Sequence, residues 1–175
     1  MPQRDLESIY TEHSRMVYWA AYSVLRSDSD AMDVTQNVFL RAIKHMGKLA
    51  AMEEGQLKAW LYRVAVNLSL DIKRRQKREY PVDELPERES TALYDMPEPS
   101  AITAEQRRIV REAIERLPDI YREAVMLHYY SNMSCADIAQ LTGAAEGTIK
   151  SRISRARIRL MELLKEGEKN DLQHG

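Results

Sequence analysis

With only one cysteine, Cys135, the 175-residue chain can form no internal disulfide, and a reducing compartment is expected. The four histidines are dispersed and give no Cys/His spacing of a zinc site, so no metal or cofactor is expected. Gly-x-Gly and Walker patterns are absent among the six glycines, which excludes the common mononucleotide-binding loops. No apolar run approaches the ~20 residues needed to cross a bilayer. The opening Met-Pro-Gln-Arg-Asp-Leu-Glu lacks a signal-peptide core, so a cytoplasmic location is expected. No nucleophile–base pair or metal constellation is visible, and catalysis is not expected. Runs of β-branched residues are also scarce, while apolar residues recur at three- and four-residue spacing throughout. The fold class expected is therefore all-α.

What the chain does have is a charge pattern. Its 26 Lys and Arg nearly cancel 27 Asp and Glu, to a net charge of −1, which argues against a protein that coats DNA nonspecifically. Yet Lys73-Arg74-Arg75-Gln76-Lys77-Arg78 is a cationic block, and so is Lys150 through Arg159. Between them, residues 79–105 carry Glu79, Asp83, Glu84, Glu87, Glu89, Asp95, Glu98 and Glu105 against Arg88 alone. Basic ends and an acidic middle suit two DNA-binding modules and a connector that avoids DNA.

The periodicity divides the chain the same way: a helical domain at 5–79, a linker at 80–102, a second helical domain at 103–166 and a frayed polar tail at 167–175. In the first domain, Leu6, Ile9, His13, Met16, Val17, Ala20 and Val24 trace one face of an opening helix. Asp30 is the expected cap of a second helix lined by Ala31, Val34, Val38, Ala42 and Met46. Residues 47–55 read as a loop, with a helical turn at 49–54 as the alternative. A third helix carries the stripe Leu57, Trp60, Leu61, Val64, Ala65, Leu68 and Ile72, then runs into the first cationic block. Trp60 is expected in the core because it sits on that stripe; Tyr62 stays open between packing and stacking. Pro81, Pro86, Pro97 and Pro99 mark the linker, expected to be extended and flexible, with a reach of about 70 Å at full stretch. The second domain reads as four helices, the first broken by Pro118.

Residues 134–160 carry the sharpest signal. Ser134 lies three residues before Asp137, a capping-box-like start, and Gly143 can supply a left-handed stop. In the helix that follows, about 100° per residue places Ile149, Ile153, Ala156 and Leu160 on one stripe. Gly147, Ser151, Ser154, Arg155 and Ile158 lie opposite, and Lys150, Arg152, Arg157 and Arg159 on the flanks. One packed face, short polar groups with an arginine, and flanking cations are what a helix-turn-helix needs in a major groove. Cys135, early in a helix, is read as a structural thiol.

Taken together, these motifs resemble the extracytoplasmic-function sigma factors, the promoter-recognition subunits of bacterial RNA polymerase. Asp30 through Ala42 looks like the family's polymerase-binding helix, although Met32 and Asn37 stand where glutamates are usual. Trp60-Leu61-Tyr62-Arg63-Val64-Ala65-Val66-Asn67, with Asp71 and Arg74-Arg75, looks like its promoter-melting helix. Leu117 through Glu123, Asp137-Ile138-Ala139 and Gly147 through Arg152 resemble its second domain. The resemblance implies two domains, a region 2-like bundle and a region 4-like helix-turn-helix bundle. It implies core RNA polymerase as partner, through the clamp coiled coil of the largest subunit and the flap of the second, together with promoter DNA and an anti-sigma factor.

Asp33, Gln36 and Arg41 would meet the polymerase. Asn67 would read an extruded −10 base against a pocket walled by residues 47–56, with Arg63, Lys73, Arg74, Arg75 and Arg78 holding phosphates. Ser151, Ser154 and Arg155 would read −35 base edges, and Thr148, Lys150, Arg152 and Arg159 would hold phosphates. Two rival readings are a stand-alone helix-turn-helix regulator and a sigma-like decoy for an anti-sigma factor. Neither gives all these segments a task.

Overall fold

In a computed structural model, residues 3–79 and 103–174 are described. The linker reading of 80–102 lies outside the described residues. Every regular element among the described residues is helical. Helices α1 (Leu6–Leu25), α2 (Asp28–Lys44), α3 (Met46–Leu49) and α4 (Glu54–Glu79) belong to one compact unit. Helices α5 (Ala104–Glu115), α6 (Asp119–Val125), α7 (Cys135–Thr142) and α8 (Glu146–His174) belong to a second. In that second unit a five-residue π-helical segment, Met126–Tyr130, follows directly on α6.

The first unit is built around α1, which packs against both α2 and α4. Met16 through Ser23 are buried on every side of the helix, a wider burial than the single face expected, and Val24 is only half-buried. The reason is aromatic bulk: Tyr18, Trp19 and Tyr22 contact one another and fill the space between neighbouring helices. The Tyr18 hydroxyl donates to buried Asp28 at 2.5 Å, which satisfies both groups out of water. Asp28 opens α2, and Ser27 is its cap, accepting from the Asp30 amide at 3.3 Å. Asp30 is therefore not the cap as the sequence suggested; it lies inside the first turn and accepts from Gln76 of α4 at 3.0 Å.

The helical turn between α2 and α4 also shifts, from 49–54 to α3, because fully buried Leu49 must end a helical turn that faces the core. Along α4 the buried row is Leu57, Leu61, Ala65 and Ser69, at i, i+4 spacing. Each fully buried leucine in that row contributes about 1.5–3 kcal/mol. Trp60 lies at the edge of the row, half-buried, with its ring edge-on to His45 at 5.8 Å between centroids. The expectation of a core Trp60 is thus corrected: the helix turns its i, i+4 row inward and leaves residue 60 at the rim.

The second unit packs α5, α6 and α7 on α8. Thr103 and Gln106 form a reciprocal capping box at the start of α5. Arg122 is fully buried beneath the α5–α6 turn and donates to the Leu117 carbonyl at 2.5 Å, the Glu115 carbonyl at 3.3 Å and Asp119 Oδ1 at 3.0 Å. Glu115 is the last residue of α5, where a helix leaves its last acceptors unsatisfied, and Leu117 lies in the turn that follows. After α6 the backbone loosens to π-type closure, with the Ser131 amide on the Met126 carbonyl at 3.1 Å. The tail expected to fray continues α8 as far as His174. Gly167 is the sole breaker-type residue there and costs only about 1 kcal/mol relative to alanine.

Candidate nucleic-acid interface

The helix-turn-helix begins at Ser134, whose hydroxyl accepts from the Asp137 amide at 3.1 Å. Gly143 ends α7 at φ 76°, a left-handed conformation that glycine adopts without steric cost. Ile149, Ile153, Ala156 and Leu163 bury one side of α8, with Leu160 at its margin. Thr148, Ser151, Ser154 and Arg155 are all exposed, so the structure brings these four onto one solvent-facing surface. The flanking cations have protein partners. Lys150 pairs with Glu146 at 3.3 Å, and Arg159 with Glu162 at 3.0 Å. Arg152 is half-buried, and its charge favours ionisation of Glu123 on α6. Burial is nevertheless the larger effect and holds that carboxyl above its ordinary range.

Sequence reasoning missed the role of Tyr129. Its hydroxyl meets Arg157 Nε, and the Arg157 guanidinium lies 5.3 Å from its ring centroid. His128 stacks edge-on against Tyr129, and its Nδ1 donates to the Met133 carbonyl at 2.7 Å. The π-helical segment thus supplies a platform that orients one arginine of α8. No local motif announces a π-helical turn, so the signal was absent from the sequence.

In the first unit, Arg63, Asn67, Arg74 and Arg78 are exposed, and about 100° per residue puts all four on the face of α4 that begins at Trp60. Arg74 pairs with Asp71 at 3.1 Å, both exposed. Arg75, exposed, and Lys73, half-buried, flank this face on its two sides. Gln76 and Asp30 clamp the cationic end of α4 to α2. On α2, Asp33, Gln36 and Arg41 are exposed. With them stand Leu40 and Ile43, 57% and 51% exposed, two large apolar side chains that an inward-looking search for core residues passes over.

A Sigma-70 region 2 family model matches residues 9–79, and a Sigma-70 region 4 model matches residues 107–160. The chain is 29% identical to the ECF RNA polymerase sigma factor SigW of Bacillus subtilis, over 93% of this chain and 88% of that protein. It is 34% identical to the ECF sigma factor SigM of Mycobacterium tuberculosis, over 90% of this chain and 76% of that one. Among solved structures it resembles the sigma factor RpoE of Bartonella quintana, crystallised with the anti-sigma factor NepR. That match has a TM-score of 0.67 and 31% identity, covering 91% of this chain and 96% of that one.

Proposed function

The chain belongs to the extracytoplasmic-function sigma factors, which bind core RNA polymerase and direct it to promoters, and on that footing we propose which of its surfaces does which task. Residues 5–79 act as the polymerase-binding and −10 domain, 80–102 as the connector, and 103–166 as the −35 domain. The outer face of α2 docks on the clamp coiled coil through Asp33, Gln36 and Arg41, with Leu40 and Ile43 as apolar anchors. The second domain meets the flap of the second large subunit. On α4, Asn67 holds an extruded base while Arg63, Lys73, Arg74, Arg75 and Arg78 hold phosphates. Unstacking a base costs a few kcal/mol, least when the strand is already separating, so binding energy within the polymerase is enough and no catalysis is required.

On α8, Ser151, Ser154 and Arg155 read base edges, and Thr148, Lys150 and Arg159 hold phosphates. Arg152, half-buried on α8, stands among these phosphate-holding cations. The protein works in the cytoplasm, and no helix among the described residues is long and apolar enough to cross a membrane.

The observation that best supports this assignment is the pairing of two exposed cationic helix faces, on separate units, with an exposed apolar pair on α2. A stand-alone regulator has no use for that pair. Run-off transcription with purified core polymerase tests the proposal. Start sites should share a −10 and a −35 element, and Leu40→Asp should abolish initiation by loss of polymerase binding. If that variant still copurifies with the polymerase, the docking face is wrongly assigned. We also propose an anti-sigma partner that covers these faces, because the similar sigma factor of Bartonella quintana was solved in such a complex.

A further inference from the structure

One cluster in the first unit has a donor set that promoter binding leaves unused. Glu12 and His13 on α1 meet Glu54 at the first turn of α4. His13 is 2% exposed, and its Nε2 lies 3.2 Å from Glu54 Oε1 and 3.8 Å from Glu12 Oε2. Nε2 is nevertheless buried without a hydrogen-bond partner. Leaving such a nitrogen unsatisfied costs about 1–3 kcal/mol. Arg4 holds the other oxygen of Glu54, Oε2, at 2.8 Å and donates to the Met52 carbonyl at 2.7 Å. The arginine therefore orients the carboxylate and leaves Oε1 facing the imidazole.

One nitrogen and two carboxylate oxygens converge within 4.8 Å of one another. Zinc binds such donors at about 2.0–2.2 Å in a tetrahedron, whose edges are then about 3.3–3.6 Å long. The 3.2 Å separation of His13 and Glu54 is close to such an edge. The 3.8 Å separation closes by a small rotation of the Glu12 side chain, which is 58% exposed and free to move. We propose that Glu12, His13 and Glu54 form a binding site for a divalent transition metal, best suited to Zn2+, with water in the fourth position. Coordination would satisfy the orphan nitrogen.

Two cations work against the ion: Arg4, and Lys58, whose Nζ is 4.0 Å from Glu54 Oε1. The Lys58 side chain is 32% exposed and can swing into solvent, so the site is one that fills and empties rather than a permanent structural centre. Occupancy would tie α1 to the first turn of α4, within the 47–56 segment that the family resemblance makes the wall of the base pocket. The metal site itself does not depend on that reading.

The test uses the full-length chain stripped by chelation and titrated with Zn2+ alone against a chromophoric chelator, with Co2+ as a spectroscopic stand-in. One equivalent should bind, with the visible bands of four-coordinate Co2+ and a raised melting temperature. Glu12→Gln, at an exposed position that leaves the core intact, should weaken binding by more than about tenfold, the lower end of the loss seen even for outer-shell partners. His13→Asn should remove the Co2+ bands. The proposal is overturned if no saturable binding occurs, if Glu12→Gln and Glu54→Gln bind as tightly as the parent, or if Cys135→Ser is the change that removes binding.

Discussion

Arg122→Met is the substitution with the most to say about how this protein divides its work. Methionine keeps most of the buried apolar volume and removes the guanidinium that caps the end of α5. The donors to the Leu117 and Glu115 carbonyls disappear, in a turn where those oxygens have little access to water. Hydrogen bonds from a charged donor contribute about 1.5–3 kcal/mol each, the longer 3.3 Å contact less. Asp119 is 65% exposed, so losing its 3.0 Å ion pair adds at most about 1 kcal/mol. Against this, a buried charge no longer has to be desolvated, which returns part of the loss. The net is about 3 kcal/mol.

For a domain of this size each kcal/mol moves the melting temperature by about 4–8 °C, so the second unit should melt about 12–24 °C lower. Scanning calorimetry of the full chain reads this directly, provided the two units melt separately. The transition of the unit holding α5–α8 should fall while that of α1–α4 stays in place. Polymerase binding through α2 should survive at temperatures where −35-dependent transcription has gone. A second transition within about 2 °C of the parent would refute the reasoning, because the buried arginine would then contribute nothing that methionine cannot.

Arg155→Ala and Lys150→Ala should separate base reading from phosphate holding. The first should change which promoters are used, since a bidentate arginine–guanine pair discriminates by about 1–3 kcal/mol. The second should weaken all sequences alike and reduce the salt slope of binding by about 0.9; equal shifts in sequence preference would reject the assignment. Burial raises the Glu123 carboxyl above its ordinary 4.5, so the stability that this group contributes is fully present below pH 4.5 and is lost as pH rises through the raised value. Glu123→Gln should therefore raise the melting temperature of the second unit at neutral pH and leave it unmoved below 4.5. Gly143→Ala should cost about 1–2 kcal/mol through backbone strain alone, because an added Cβ at φ +76° meets nothing within 4 Å. Thermal denaturation measures it.

What could be read from the sequence was whatever rests on local spacing. The stripe Ile149, Ile153, Ala156 packs inward as expected, and Ser134 and Gly143 do bound α7, because caps and helical faces follow from residues three and four apart. What escaped depends on partners distant in the chain. Arg122 turns inward to carbonyls at the α5–α6 turn, although arginine on a helix normally signals a solvent face. Ser27 rather than Asp30 caps α2, since Tyr18 and Gln76, ten and forty-six residues away, claim the two aspartates. Trp60 illustrates the limit of a wheel drawn on one helix. The wheel finds the apolar arc, but the neighbours α1 and α2 decide which row of that arc points inward. The Glu12–His13–Glu54 cluster spans more than forty residues and has no motif spacing at all.

The ion pairs on α8 bear on why such a small reader needs a large partner. Lys150 and Arg159 are held by Glu146 and Glu162 and Arg157 by Tyr129, while the charge of Arg152 favours the ionised form of Glu123. For Lys150 and Arg159, gripping a phosphate means exchanging one anion for another. The gain is then the difference between two exposed contacts, each worth about 1 kcal/mol or less, rather than the whole of one. The same acids hold the net charge of the chain at −1 and weaken the long-range pull toward any DNA. A helix arranged in this way should bind DNA feebly by itself and waste little affinity on random sequence. Its selectivity can emerge only when a second contact on the same DNA raises the effective concentration of the first, as linked binding does by factors of about 10²–10⁴. The cationic face of α4 can supply that second contact, and a polymerase holding both units over one promoter makes the two act together. Removing Glu146 and Glu162 together should thus tighten binding of the chain to random DNA while narrowing its preference for promoters.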